Sequence, residues 1–134
     1  MDTTHSYGFG ATTDLSLEAA EEKLRAALAE QGFGILTEID VAETLQQKIG
    51  VERPPYRILG ACNPTLANQA LENEESIGLL LPCNIVVYEK SGSTVIEILD
   101  PNLMAEVTGN SGLESIAAEA RTRLTNALES VTAA

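Results

Sequence analysis

The sequence predicts an α+β (or α/β) domain of two layers, with one mixed sheet of roughly five strands and helices mainly on one face. Three observations predict it. Segments with a two-residue apolar period alternate with segments of helical period. The longest apolar run, Leu79–Glu89, is apolar at odd positions (Leu79, Leu81, Cys83, Ile85, Val87) and at even ones (Leu80, Val86, Tyr88). That is the pattern of a central strand with both faces covered, and it is too short to span a bilayer, which takes about 20 apolar residues. Finally, 134 residues make one ordinary domain with a real core, so positions 1–134 are read as a single unit.

Each element has its own warrant. His5–Thr12 sets Tyr7, Phe9 and Ala11 against Gly8, Gly10 and Thr12, a first, exposed strand. Ser16 offers an N-cap, Leu17, Ala20, Leu24, Ala27 and Leu28 share a helical face, and Gly32 ends the helix. Phe33, Ile35, Thr37 and Ile39 alternate as a second strand. Asp40 and Glu43 have capping-box spacing for a short helix through Ile49, closed by Gly50. Arg53-Pro54-Pro55 is a stiff connector into a third strand, Tyr56–Cys62. Asn63 as N-cap and Pro64 at the first helical position open a helix with Leu66, Ala67, Ala70 and Leu71 as its buried stripe. Pro82 marks a bend or bulge in the central strand, because proline has no N–H for a ladder. Lys90-Ser91-Gly92-Ser93 reads as a hairpin turn into a fifth strand, Thr94–Asp100. Asn102–Gly112 reads as a loop or partly ordered segment. Ser111 and Glu114 have capping-box spacing for a last helix with Leu113, Ile116, Ala117, Ala120, Leu124, Leu128 and Val131 on one side. The hairpin is antiparallel, whereas the strand–helix–strand units allow parallel pairing.

Composition excludes several functions. The formal charge is −12, from 20 acidic and 8 basic residues, and the largest basic grouping is Arg121 with Arg123. Phosphate neutralisation draws on clustered Lys and Arg, so neither nucleic acid nor an anionic membrane surface is an expected partner. Residues 1–16 hold no basic start followed by an apolar block, so no signal peptide is read and a cytoplasmic location is expected. Cys62 and Cys83 are then expected to be reduced thiols. With one histidine, His5, no CxxC and no close Cys–His spacing, no metal or other cofactor is expected.

Gly60-Ala61-Cys62-Asn63-Pro64, Ile77-Gly78-Leu79-Leu80-Leu81-Pro82-Cys83-Asn84, Val86-Val87-Tyr88-Glu89 and Asp100-Pro101 form a combined signature. Gly32–Leu36 and Pro55–Leu59 fit with it. Together they resemble the family called domain of unknown function 302, over nearly the whole chain and least over Met1–Thr13. The resemblance implies a small α+β domain that forms homodimers, and no settled activity.

Cys62 is the candidate catalytic residue, with Cys83. Cys62 stands where a strand ends and a helix begins, and a helix N-terminus favours thiolate over thiol. Its pKa is therefore expected to fall, with Arg53 and Arg57 close enough in sequence to help. Cys83, within an apolar strand, is expected to shift upward. Asn63 and Asn84 are the candidate ligand-binding residues. Capping explains Asn63, but Asn84 sits in an apolar strand and has to find a polar partner or line a polar pocket. His5, near a terminus, reads as a solvated side chain, and Glu89 and Glu97 read as facing pairs across the hairpin.

The functional reading is a homodimeric ligand-binding or regulatory module that takes a small molecule, its partner being a second copy of itself. The apolar central strand and the small number of helices argue that a second subunit covers part of the sheet. A thiol-dependent redox or sulfur-handling enzyme using Cys62 is the alternative, and a structural interaction domain is a third. The cysteines lack a visible general base, which ranks the first reading ahead.

Overall fold

A computed structural model of the chain describes residues 3–132. It is an α+β fold: a five-stranded sheet, β1 (Gly8–Thr13), β2 (Gly34–Asp40), β3 (Tyr56–Cys62), β4 (Cys83–Lys90) and β5 (Ser93–Leu99), in the order β1-β5-β4-β3-β2. The long helices α1 (Leu17–Glu30) and α5 (Glu114–Thr132) cover one face. Between them come α2 (Val41–Ile49), α3 (Pro64–Asn73) and α4 (Leu103–Thr108), with a 3₁₀ turn, Glu75–Leu80, before β4. No helix among the described residues is long and apolar enough to cross a membrane.

Every strand pair is antiparallel, so the sheet is not mixed. A parallel pair needs its connecting helix to carry the chain back across the sheet to the start of the strand. Here β1 and β2 lie at opposite edges, so α1 joins strands that never pair. The helix α2 has no fully buried residue and joins β2 to an antiparallel β3. The connection through α3 continues into the 3₁₀ turn, and β4 then pairs with β3 in the reverse direction.

The core is built as the helical periods require. Leu17, Ala20, Leu24, Ala27 and Leu28 of α1 and Ala120, Leu124, Leu128 and Val131 of α5 pack on Phe9, Leu59, Ile85, Val87, Ile96 and Ile98. The Ser16 side chain caps α1 through the Ala19 N–H, and Asp40 caps α2 through the Glu43 N–H. Gly50 closes α2 in the left-handed region, φ 68°, which glycine tolerates best. A second apolar cluster joins Ala70 of α3, Ile77, Met104 of α4, and Leu113, Ile116 and Ala117. Of the stripe expected on α3, Ala70 is buried, Leu66 and Ala67 are half-buried and Leu71 is exposed.

β4 is the central strand, but it begins at Cys83 rather than Leu79. Leu79 lies in the 3₁₀ turn and is 88% exposed. Pro82 offers no donor to continue the ladder, and the leucines before it turn away to join the second cluster or face solvent. Nor does the chain itself cover both faces of β4: Ile85 and Val87 are buried under the helices, whereas Val86 and Tyr88 are half-buried and Asn84 is exposed on the other side.

Two further segments depart from their sequence patterns. The regular first strand starts at Gly8, because His5 folds back on it (His5 N–H to Gly8 O, 2.8 Å). Asn102–Gly112 is ordered as α4 and a further 3₁₀ turn, and the side chain of Asn110, not Ser111, receives the Gly112 N–H ahead of α5.

Candidate functional site on the open face of the sheet

Strand alternation and register decide which side chains reach the uncovered face. The two-residue Ser91-Gly92 turn, with positive φ at both residues, fixes the β4–β5 hairpin with Lys90 opposite Ser93. Val86 then faces Glu97, and Glu89 faces Thr94, so the two glutamates are not opposed. Ile58 pairs with Val86 and Tyr56 with Tyr88, all on the side away from α1 and α5. On β1 the same side carries Gly8 and Gly10. At Gly10 a Cβ would run into the Ile96 carbonyl and lie 2.8 Å from Glu97 Cα and 2.7 Å from Thr3 Oγ1. The missing side chains let residues 3–7 lie against the sheet, held by Thr3 N–H to Gly10 O at 3.0 Å.

This arrangement gathers all three tyrosines of the chain and its single histidine around Glu97. Glu97 Oε1 accepts the Tyr88 hydroxyl at 2.7 Å, and Oε2 lies 3.0 Å from His5 Nε2. The His5 ring packs on Tyr7, centroids 4.2 Å apart, so His5 is not merely a solvated terminal residue. Tyr56 and Tyr88 stack at 5.0 Å with 15° between their planes, and the Arg53 guanidinium lies over Tyr56 at 5.6 Å. Burial, the hydrogen bond to Glu97 and its charge push the Tyr88 phenol up to about 12. Burial, followed by the Glu97 charge, raises Tyr56 as well. Both phenols are thus held as neutral donors.

Two adjoining hollows open here and share Tyr56 and Glu97. One, of about 230 Å³, is lined by His5, Tyr7, Asn84, Val86 and Leu99. The other, of about 600 Å³, is lined by Arg53, Pro54, Tyr88, Glu89, Lys90 and the hairpin turn. Asn84 is thus the one sequence-selected candidate on this face. Its amide is exposed and bonds nothing among the described residues.

The other three candidates lie together elsewhere. Cys62, Asn63 and Cys83 line a small apolar cavity of about 50 Å³ with Leu66, Leu81 and Met104. Both cysteines are free thiols. Asn63 is buried and caps α3, its Oδ1 accepting the Leu66 N–H at 3.1 Å. That bond uses one of the helix donors that was to stabilise a Cys62 thiolate. Burial instead pushes Cys62 up, against the expected fall. Burial and the nearby Asp100 charge push Cys83 up to about 12, in the expected direction, and its Sγ–H reaches Leu99 O at 3.5 Å. Neither arginine assists Cys62. Arg57 bonds Glu21 at 2.9 Å, and Arg53 lies over Tyr56. Among the described residues no three His, Cys, Asp or Glu side chains converge as a metal ion would require.

Asp100, in the Asp100-Pro101 pair, has a structural role. It accepts Arg121 Nη1 at 2.7 Å, and the same guanidinium lies 3.8 Å from the Phe9 ring centroid. Glu21, Arg25, Arg57 and Glu38 form a similar ionic staple between α1 and strands β3 and β2. Sequence reasoning missed the Glu97 cluster because its members are scattered over positions 5–97. The available signal was the Ser91-Gly92 turn, whose length sets Val86 opposite Glu97 and puts Tyr88 diagonal to it.

An antiparallel sheet covered by two long helices on one face, and bearing an aromatic, partly polar hollow on the other, defines a small α+β domain with one face of its sheet open. The chain belongs to the family described as Domain of unknown function DUF302, whose sequence profile matches residues 9–131. His5 and Tyr7 stand ahead of that span. In three dimensions the chain is similar to the uncharacterized conserved protein DUF302 from Bacillus stearothermophilus, known from its crystal structure. The two share 30% identity and superpose with a TM-score of 0.88 over 94% of this chain and 98% of the other. No curated protein matches.

Proposed function

We propose that the protein is a homodimeric ligand-binding module that receives a small molecule on the open face of its sheet. The observation that carries this reading is the convergence of His5, Tyr7, Tyr56, Tyr88 and the uncommitted Asn84 amide around Glu97 at the open face. A concave site with apolar walls and a few convergent polar groups is what small ligands select. The opposite edge of the sheet supports the second copy. No residue of α2 is fully buried within the chain, and Leu36 and Ile39 of β2, Ile49 of α2 and Val51 just after it are all exposed.

The test has two parts. Sedimentation at micromolar concentration should show a species of twice 14.2 kDa. A lone 14.2 kDa species removes the dimer. The chain has no tryptophan, so its tyrosine fluorescence and tyrosine ring NMR signals report on the open face alone. A mixture of small planar fragments should shift them. No shift at millimolar fragment concentration removes the ligand-binding role. A thiol enzyme gains less support, because both thiols are held up in pKa rather than poised as thiolates.

A further inference from the structure

From the chemistry lining the two joined hollows, we infer that the ligand is a planar heterocycle whose edge donates N–H groups beside an acceptor, and which carries an anionic tail. The inference rests on the open-face reading and names the class of molecule. In the smaller hollow the formal charge is the Glu97 carboxylate, balanced only when His5 is protonated. Each carboxylate oxygen already takes one hydrogen bond and retains a second acceptor position. Such a wall selects N–H donors and repels an anion.

Asn84 beside it offers one carbonyl acceptor and an NH₂ donor, and neither is used within the described chain. An acceptor wall next to a free amide matches a ring edge bearing N–H donors with a neighbouring carbonyl or ring nitrogen. Val86, Leu99 and the Tyr7 and Tyr56 rings supply the apolar surround that a flat ring needs.

The larger hollow adds two cations, Arg53 and Lys90, to the carboxylates Glu89 and Glu97. Arg25, Arg57, Arg121 and Arg123 each pair with a carboxylate, so Arg53 is the one arginine among the described residues with no such partner. Lys90 lines the same hollow, also unpaired, and Glu89 and Glu97 are its two acidic residues. An arginine fork with a free face recognises carboxylate or phosphate. Because the hollows share Tyr56 and Glu97, one molecule can occupy both, its ring by Asn84 and Glu97 and its tail by Arg53 and Lys90. A mononucleotide and a heterocyclic carboxylic acid share this chemistry.

The test uses the full chain, with binding followed by NMR through the Asn84 side-chain amide, the His5 ring and the tyrosine rings. The probes are guanosine monophosphate, guanosine, pterin-6-carboxylate, benzoate and inorganic phosphate. Guanosine monophosphate or pterin-6-carboxylate should shift all three sets of signals, and whichever binds tighter identifies the tail as phosphate or carboxylate. Guanosine, lacking the tail, should bind more weakly. Arg53→Ala should reduce the tailed probe to about the affinity of its tail-free counterpart, and Asn84→Ala should weaken it by about tenfold. Both variants alter exposed side chains that bond no backbone, so the fold is retained. Benzoate binding there while the heterocycles do not overturns the ligand class and leaves the open-face reading standing. An unchanged affinity in Arg53→Ala overturns the tail assignment, and silence from every probe overturns the proposal.

Discussion

Cys62 and Cys83 differ in how far burial disfavours their charged forms, and that difference sets their reactivity. Cys83 is pushed up to about 12, and Cys62 is raised by burial alone. The thiolate is the nucleophile, so at neutral pH both should alkylate more slowly than a free thiol, with Cys62 first. Mass-spectrometric timing of iodoacetamide labelling checks this, and labelling of Cys83 first would contradict it. The Tyr88 phenol offers a second residue-scale test. Glu97 contributes to its rise through both a hydrogen bond and charge. Glu97→Gln should move its titration, followed at 295 nm, down from about 12 toward the ordinary value of 10.0. An unmoved titration would mean that burial alone sets it.

At the scale of elements, β4 carries two different faces. Ile85 is fully buried under α1 and α5, so Ile85→Ala should lower stability by about 2–5 kcal/mol, read as a shifted urea midpoint at unchanged slope. Val86 points to the open face and is only half-buried. Val86→Ala should lose clearly less, although the apolar run treats the two positions alike. On β1 the close approach at Gly10 makes Gly10→Ala an overpacking change of about 1–3 kcal/mol. Wild-type stability in that variant would show that β1 shifts against β5 to make room.

For the whole molecule, the raised groups act together on pH stability. Tyr88 and Cys83 both have folded pKa values above their unfolded ones, so the neutral forms favour the native state. Their contribution is complete below the unfolded values, from about 8.5 for cysteine to about 10 for tyrosine. It is lost as pH rises through about 12. The thermal midpoint should therefore fall across pH 9–12, and Cys83→Ser should flatten the lower part of that fall. The β2–α2 edge gives the other test at this scale. Ile49 is 66% exposed and Leu36 67% exposed. On the proposed dimer, replacing both with Glu should leave the circular dichroism unchanged while sedimentation shifts to the monomer. A dimer that survives the double replacement uses another surface.

Local chemistry alone determined the caps at Ser16, Asp40 and Asn63 and the buried stripes of α1 and α5. Each depends on neighbours within a few residues, where hydrogen-bond geometry and side-chain period act directly. Sequence marked Asn84 as a buried amide in need of partners, whereas the structure exposes it on the face away from the helices, where it needs none. Only the tertiary structure decided strand direction, because helix length does not say whether a connection crosses the sheet; α2 has no fully buried residue and joins β2 to an antiparallel β3. It alone decided that Leu79 lies in a turn and that His5 meets Glu97 across 92 positions. Such pairings follow from strand order and register, which no stretch of the chain encodes by itself. The fate of Cys62 was decided in the same way: a helix start offers donors to a thiolate, but the Asn63 cap and burial in the packed molecule outweigh them.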